Sequence, residues 1–456
     1  MAGILAAALA PRNAAANPAV YEIGADPDVG FNLVSWFNFG GTGASTWQNS
    51  VQAVYDAGFR EISLSPVRYF NLSTGAIAAT STKGPELNHI AAGIVRAKSL
   101  GMRVTVNPFI EPIDFTTWRG TYNPTPNTAA WTTFWNDYQQ YLVDVAQVAE
   151  ANGADAMTVG TELKALNGNA GNIPKWHSAI NAADAQFSGE LGYAANWDDY
   201  KNANLTTAIW EHPAIDFLGV DSYFRNLVTN SQADASGAFP NPTFIAQMEA
   251  GWNNLLDNQI LSFAAQRQGG AGLPVVLTEV GYLPRNRTSV TPQNESGAVD
   301  AAEQTMAFNG LINAIDGRKE QLRAVHVWQW GMPGSDGSLW NMDPALPANQ
   351  PNNVPATQWL SSYVNTATPA FAADMNADGT VDGADLAIWT AAYAATAAGD
   401  VDGDGATGGA DFLLWQRQVG FGVAQSSTAA AVPEPAAWIL LAAGLLACRR
   451  RRRDRP

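Results

Sequence analysis

The stretch DAMTVGTEL, from Asp155 to Leu163, gives the first indication of the fold of this chain. It has the form of a buried β-strand of small and apolar residues that ends on a threonine and a glutamate, Glu162. A second stretch, PVVLTEVGY from Pro274 to Tyr282, has the same form and presents Glu279. Both carboxylates follow an apolar run directly, so the first question is whether they meet in space.

Six other apolar runs of strand length accompany these two. Several are almost continuously apolar, as expected of parallel strands that are buried on both faces. The six runs are FNLVSWFNF from Phe31, REISLSPVRYF from Arg60, RVTVNPFIE from Arg103, GELGYAANW from Gly189, IDFLGVDSYF from Ile215 and RAVHVWQWG from Arg323.

Helical patterns separate these runs. One extends from Pro85 to Gly101, and another from Phe244 to Gln266, where a Gly-Gly pair provides a natural stop. In the clearest pattern, apolar residues recur at spacings of three and four: Trp131, Phe134, Tyr138, Leu142, Val145 and Val148. Alternating strands and helices of this number predict an α/β fold, a (β/α)8 TIM barrel over residues 27–366. A doubly wound open sheet is disfavoured, because no Gly-rich phosphate loop follows the first strand.

In such a barrel the carboxyl ends of all strands open onto one face, where active sites form. Glu162 ends strand four and Glu279 ends strand seven, so the two side chains can face each other across the mouth. A pair of carboxyl groups can hydrolyse a glycosidic bond, because one protonates the leaving oxygen while the other attacks or activates water. A negative neighbour in a partly dry site keeps the acid protonated near neutral pH.

The net charge and the aromatic content of the chain limit the classes of ligand that it can bind. The net charge is −16, although the last 21 residues contain six arginines. Nucleic acid is a poor ligand for so acidic a body, whereas a neutral ligand or cations are compatible with it. The chain has 16 tryptophans, whose faces can stack on sugar rings, although a large core also uses such residues.

Several stretches in order resemble glycoside hydrolase family 113, in the clan A of retaining enzymes. They cover most of the barrel region: WRG from Trp118, FWNDY from Phe134, VGTEL from Val159, YAANWDDY from Tyr193, IDFLGVDSYF from Ile215, TEVGY from Thr278 and VWQWG from Val327. The resemblance implies a retaining enzyme for a β-linked polysaccharide, with β-1,4-mannan or glucomannan as the first expectation. The alternatives are another β-glycan, such as glucan or xylan, and a non-catalytic carbohydrate-binding surface protein.

The resemblance also implies residue roles. Glu162 would be the general acid/base and Glu279 the nucleophile, with no cofactor for catalysis. Trp328 and Trp330 should point the same way, because alternate residues of a strand share a face. The residues expected to line the sugar cleft are Asn196, Trp197, Asp221, Tyr223, Tyr282, Trp328 and Trp330.

Two positions depart from the family's pattern. Asn107-Pro108-Phe109 stands where a Lys-Pro-His type element is usual after strand three. Thr161 precedes the acid/base, where clan A enzymes often have asparagine. Both departures concern expected sugar contacts. The resemblance therefore supports the type of reaction better than it supports the identity of the sugar.

A duplicated acidic element follows the barrel. The stretches DMNADGTVDGAD from Asp374 and DVDGDGATGGAD from Asp400 have oxygen-bearing side chains at positions 1, 3 and 5 and glycine at position 6, as Ca²⁺ loops require. An apolar segment with tryptophan follows each loop, and residues 372–421 resemble a dockerin, which implies a cohesin-type partner. A Ca²⁺ module without such a partner and a pair of solvated acidic turns are the alternatives. The predicted Ca²⁺ ligands are Asp374, Asn376, Asp378, Thr380, Asp382, Asp385, Asp400, Asp402, Asp404, Ala406 and Asp411.

The two ends of the chain bear on location. Residues 1–26 form a candidate leader, although they lack a basic start. Residues 422–435 have the composition of a flexible linker. Residues 433–456 combine a Pro-Glu-Pro element, an apolar run shorter than the ~20 residues of a membrane span, and an arginine cluster. This tail resembles the PEP-type sorting signal that exosortases process in bacteria, and the alternative is a plain tail anchor. Either places the body outside the cytoplasm, as a secreted or cell-surface protein, and a processed sorting signal would anchor it only transiently by its C-terminus.

Overall fold

Eight parallel strands close into a barrel, and two more form a small parallel sheet. The computed structural model describes residues 28–78, 83–332, 338–345, 351–367, 373, 375–376, 381–396, 398–401 and 406–419. The strands are β1 (Asp28–Val34), β2 (Glu61–Ser65), β3 (Val67–Phe70), β4 (Arg103–Val106), β5 (Phe109–Pro112), β6 (Ala156–Thr161), β7 (Glu190–Asn196), β8 (Phe217–Asp221), β9 (Val275–Val280) and β10 (Leu322–Trp330).

The order around the barrel is β1-β10-β9-β8-β7-β6-β4-β2. Each of the eight strands predicted from the sequence contributes one member, and the predicted TIM barrel is confirmed. Every residue of β6 and β9 is buried, as the continuous apolar runs indicated.

Helices cover the outside of the barrel, and two more follow it in the chain. All three helical patterns singled out in the sequence correspond to helices, and the segment after Pro242 continues through a π-helical turn at Leu256–Leu261. The helices are α1 (Gly43–Asp56), α2 (Leu87–Ser99), α3 (Ala129–Asn152), α4 (Lys164–Asn167), α5 (Ile173–Asp184), α6 (Ala203–Leu205), α7 (Asn230–Asp234), α8 (Pro242–Leu255), α9 (Ser262–Ala264), α10 (Ala301–Ile315), α11 (Val354–Ala367), α12 (Gly383–Ala392) and α13 (Gly409–Gln418).

The small sheet of β3 and β5 comes from two runs that the sequence presents as single strands. Pro66 separates β2 from β3, and Pro108 separates β4 from β5. Proline has no N–H to donate to a ladder, so a strand tends to break or bend there. Past these breaks the chain pairs again, with Val67 opposite Phe109. The break brings β5 to the carboxyl-end rim of the barrel.

The end of β6 is fixed from outside by α3. Gly160 has φ +152°, and the Tyr138 hydroxyl donates a 2.7 Å hydrogen bond to the carbonyl of Val159. A Cβ at position 160 would lie 2.5 Å from that hydroxyl oxygen. Only glycine fits, so the approach of Tyr138 holds the strand two residues before Glu162.

A helix follows each acidic loop of the duplicated element, and the two helices exchange equivalent bonds. The Trp389 indole donates to the carbonyl of Gly408, and the Trp415 indole donates to the carbonyl of Asp382, each at 2.9 Å. These reciprocal bonds have the two-fold relationship expected of a duplicated unit.

The chain ends lie outside the described residues, and with them the candidate leader, the linker and the sorting tail. Within the described part of the chain, no helix combines the length and apolarity needed to cross a membrane.

We expect Gly160→Ala to lower the free energy of unfolding by about 2–5 kcal/mol, because it adds a backbone penalty and an atomic overlap. Urea unfolding followed by tryptophan fluorescence measures the change. The matched control is Gly153→Ala, which also has positive φ but has open space around its Cβ position. An effect of Gly160→Ala no larger than the control would contradict the packing described for β6.

Candidate active site

A cleft of about 320 Å³ opens where the barrel strands end, and both glutamates line it. Glu162 directly follows β6, and Glu279 lies near the end of β9. The structure therefore brings together two side chains that are far apart in the sequence. The lining residues are Trp36, Phe109, Trp118, Arg119, Glu162, Asn196, Tyr223, Glu279, Gln293, Trp328 and Trp340.

Two donors hold the Glu162 carboxylate. The Asn196 amide donates to Oε1 at 2.7 Å, and the Arg119 guanidinium donates to Oε2 at 2.8 Å. Glu162 itself has φ +52°, a left-handed backbone conformation that is rare outside glycine. Such conformations persist where the surrounding structure enforces them, and they concentrate at functional sites.

Glu279 has a different environment. The Tyr223 hydroxyl donates to Oε2 at 2.8 Å. Oε1 has no hydrogen-bond partner among the described residues. The side chain is only 4% exposed. Burial and the charge of Glu162 raise the pKa of Glu279 to about 8, whereas Arg119 and the Tyr223 hydrogen bond act in the opposite direction. This raised pKa reflects two carboxyl groups that share one partly dry cleft and oppose each other's ionisation.

Asp221 was expected to contact sugar, but the structure buries it and does not place it among the residues that line the cleft. It is 0% exposed, and its Oδ1 accepts a 2.7 Å bond from the Thr278 hydroxyl. Burial, with the Glu279 charge as the next contribution, raises the pKa of Asp221 well above its usual range. Asp221 lies behind the carboxylate pair rather than on the cleft wall.

Trp197 also lies away from the cleft. β7 ends at Asn196, and Trp197 is the first residue of the turn that follows it. The Trp197 ring lies 6.0 Å from that of Phe224 and 5.7 Å from the Arg225 guanidinium.

Tyr282 packs outside the barrel, because β9 ends at Val280 and the chain turns outward. Its hydroxyl accepts a 2.8 Å bond from the Trp252 indole, and its ring meets that of Phe308 at 5.1 Å. The tyrosine that contacts Glu279 is Tyr223 instead.

Trp328 and Trp330 do not share a face. Trp328 lines the cleft, whereas Trp330 is 1% exposed and packs on Phe31 at 5.1 Å. The expectation that the two side chains point the same way is therefore wrong.

Aromatic side chains form much of the cleft wall. Phe109 lies between Trp36, at 5.9 Å, and Trp328, at 6.0 Å. Tyr223 and Trp340 meet at 5.6 Å on another part of the wall. Trp118 is 39% exposed and offers an open ring face. These faces suit the apolar surfaces of sugar rings better than a charged ligand.

Sequence reasoning missed several of these residues. Arg119 and Trp118 lie in the WRG stretch, and Trp36 lies in the first strand run, so the sequence carried a signal for three of them. Gln293 and Trp340 come from loops without strand or helix periodicity, where no pattern pointed to the cleft. Phe109 stands at the position of the family's usual histidine and contributes a ring instead.

The two departures from the family's pattern are linked in space. Asn107 Oδ1 accepts hydrogen bonds from the hydroxyls of Thr158, at 2.5 Å, and Thr161, at 2.7 Å. Thr161 is 2% exposed and does not line the cleft. Both departures therefore form a buried contact between β6 and the segment after β4.

The described residues contain no group of three or more His, Cys, Asp or Glu side chains arranged to hold a metal ion. Asp385 and Asp411 are buried, and each accepts backbone N–H bonds on both carboxylate oxygens. Asn376, Asp382, Asp400 and Ala406 are described as well. The other predicted ligands lie outside the described residues: Asp374, Asp378, Thr380, Asp402 and Asp404.

Comparison with solved structures gives the same fold. The GH113 β-mannanase AaManA from Alicyclobacillus acidocaldarius, in complex with ManMIm, superposes with a TM-score of 0.57 at 18% identity, covering 77% of this chain and 100% of that one. A complex structure of a GH113 β-1,4-mannanase gives 0.56 at 15% identity, covering 76% and 100%. No curated protein sequence shows significant similarity to this chain.

Two sequence families match. The PEP-CTERM protein-sorting motif matches residues 431–453, which indicates an extracytoplasmic or cell-surface protein. The model of glycoside hydrolase family 113 matches residues 38–337, about two thirds of the chain and nearly all of the barrel. The matched range includes both Glu162 and Glu279, and the chain therefore belongs to glycoside hydrolase family 113.

Proposed function

We propose that this glycoside hydrolase cleaves β-1,4-linked mannan or glucomannan with retention of anomeric configuration. The observation that carries the proposal is the pair Glu162 and Glu279 in one cleft with unlike partners. Glu162 is held by two donors, whereas Glu279 receives one hydrogen bond and keeps Oε1 unpaired among the described residues. An unpaired oxygen suits a nucleophile.

The reaction has two steps. Glu279 Oε1 forms a bond to the anomeric carbon while the glycosidic oxygen leaves and takes the proton of Glu162. Water then attacks the glycosyl-enzyme ester, gives its proton to Glu162 and releases the carboxylate of Glu279. Asn196 and Arg119 fix Glu162 within reach of the leaving oxygen, and the Tyr223 hydroxyl orients Glu279.

The sugar preference draws on family membership and on the aromatic wall. The solved GH113 relatives are named as β-mannanases. Hydrolysis of a panel of purified mannan, glucomannan, β-glucan and xylan separates mannan from the alternative β-glycans.

Roles of the glutamates are tested by azide rescue. We expect Glu162→Ala and Glu279→Ala each to lose at least ~10³-fold in kcat/KM on mannan. With an activated aryl β-mannoside, azide should give the Glu162→Ala variant a β-glycosyl azide, because azide attacks the covalent intermediate. It should give Glu279→Ala an α-glycosyl azide by direct displacement. The reverse pattern of products would exchange the roles, and near-normal activity of both variants would refute the proposal.

Tyr223→Phe tests the orientation of the nucleophile. The hydroxyl favours the charged form of Glu279, so its loss raises the pKa of that carboxyl. The acid limb of the kcat/KM profile should move to higher pH, and kcat should fall roughly 10- to 100-fold, as for a lost hydrogen bond to a charged group. Tyr282→Phe is the matched control, because its hydroxyl bonds Trp252 away from the cleft. Equal pH profiles for the two variants would argue against this role.

We also propose the domain limits 27–366 for the barrel, 372–421 for a dockerin-like module, 422–435 for a linker and 433–456 for an exosortase-processed tail that anchors the protein transiently in the membrane. The oxygen-rich donor set of the duplicated loops fits a hard cation such as Ca²⁺, and a cohesin-type protein is the partner that such a module would take. Residues 1–26 would act as the export leader.

The proposed binding of Ca²⁺ by the duplicated loops can be tested on the full chain. We expect saturating Ca²⁺, at about 100 times its Kd, to stabilise the 372–421 region by roughly 2.7 kcal/mol, seen as protection from limited proteolysis. EDTA should abolish this protection and leave mannan hydrolysis unchanged, because the barrel chemistry uses no metal. Asp400→Asn should weaken the protection, whereas Asp234→Asn, an exposed barrel substitution, should not. Protection that is insensitive to EDTA would count against the calcium loops.

A further inference from the structure

Arg119 links two carboxylates, of which only one lines the cleft. It lies in the turn Arg119–Thr121 and is 7% exposed. Its Nη2 contacts Glu162 Oε2 at 2.8 Å, and its Nη1 contacts Glu111 Oε1 at 2.5 Å. Its Nε donates to the carbonyl of Thr161 at 3.1 Å. Every part of the guanidinium fork is therefore engaged, and the Phe109 ring lies 4.6 Å from its central carbon.

Glu111 comes from β5 and is not among the residues that line the cleft. Burial, with a smaller contribution from the charge of Glu162, raises the pKa of Glu111, and Arg119 opposes this. Tyr69, on the paired strand β3, is close enough for Glu111 to influence it. Glu111 therefore contacts Arg119 rather than the cleft, and its charge also helps to raise the pKa of Glu279.

The contact between Arg119 and Glu111 affects the ability of Glu162 to act as a general acid. A general acid must carry a proton, yet a buried guanidinium 2.8 Å away favours the ionised carboxylate. Glu111 occupies the other edge of the guanidinium and offsets its charge. The remaining charged groups that influence Arg119 are Glu279, from β9, and Asp221, from β8.

We propose that Glu111 is a positioning residue that, through Arg119, sets how readily Glu162 gives up its proton to the leaving group. This rests on the proposed role of Glu162 as general acid/base. In the resting enzyme the positive charge of Arg119 is balanced mainly by Glu111. When Glu162 has given its proton to the leaving group, the same guanidinium stabilises the new Glu162 carboxylate. The three side chains operate as one carboxylate–guanidinium–carboxylate unit.

Glu111→Gln preserves the shape of the side chain and removes its charge. Arg119 then acts on Glu162 alone, so the alkaline limb of the kcat/KM profile should move to lower pH by about one unit. At pH 7 the loss should be roughly tenfold or more for aryl mannosides with poor leaving groups, which need protonation, and under about threefold for dinitrophenyl leaving groups.

We expect Arg119→Met to shift the alkaline limb of the kcat/KM profile in the opposite direction. Without the guanidinium and with Glu111 charged, Glu162 should hold its proton more firmly, so the alkaline limb should move to higher pH. This second variant also keeps the proposal testable if Glu111→Gln does not fold, which thermal unfolding would reveal. Glu211→Gln is the matched control, since that carboxylate pairs with Arg267 outside the cleft.

Opposite shifts of the alkaline limb, with a leaving-group dependence in Glu111→Gln, support the proposal. A loss in Glu111→Gln that is equal for all leaving groups, with an unmoved limb, would overturn it and leave Glu111 a structural residue. Azide rescue of Glu162→Ala separates this failure from a failure of the proposed function. If rescue gives the β-azide and the Glu111→Gln profile matches wild type, only the role of Glu111 is lost.

Discussion

The site depends on keeping two carboxyl groups in one partly dry cleft in spite of their mutual repulsion. Like charges in a low-dielectric site cannot both ionise freely, so one proton stays with the pair. The raised pKa of Glu279 expresses this constraint. Arg119, Asn196 and Tyr223 each contribute a donor that offsets part of the repulsion. The cleft can therefore keep both carboxyl groups close together only because these donors compensate part of their mutual repulsion.

The barrel can keep the two carboxyl groups close together because its strands hold Glu162 and Glu279 rigidly. Gly160 allows Tyr138 to approach β6 closely, and Glu162 then takes a left-handed backbone conformation. These features cost conformational free energy, which the packing of a fully buried strand and a long helix outweighs. A site on flexible loops could relax by separating the charges, whereas strand ends in a closed barrel cannot.

Periodicity and burial were enough to predict the barrel and its two glutamates from the sequence. Eight apolar runs became eight barrel strands, and Glu162 and Glu279 emerged at the carboxyl ends of two of them. The features that the sequence could not predict depend on backbone irregularity. Tyr282 lies beyond the end of its strand, and Trp330 is buried in the core instead of lining the cleft with Trp328. Arg119 reaches the cleft from a short turn, and its partner Glu111 lies on β5, which begins directly after Pro108 interrupts the longer apolar run.

The charge balance of the cleft constrains the substrate. Arg119 is the one cation among the described residues that line the cleft, and it is engaged by Glu162 and Glu111. Glu162 and Glu279 face the ligand, and Asp221 lies buried behind them. An anionic glycan would bring further negative charge into this field without a free counter-charge, at a cost that grows as water leaves the site. A neutral glycan meets no such cost, and it gains from the rings of Trp36, Phe109, Trp118, Trp328 and Trp340. The electrostatics that keep one carboxyl protonated therefore also select for an uncharged polysaccharide.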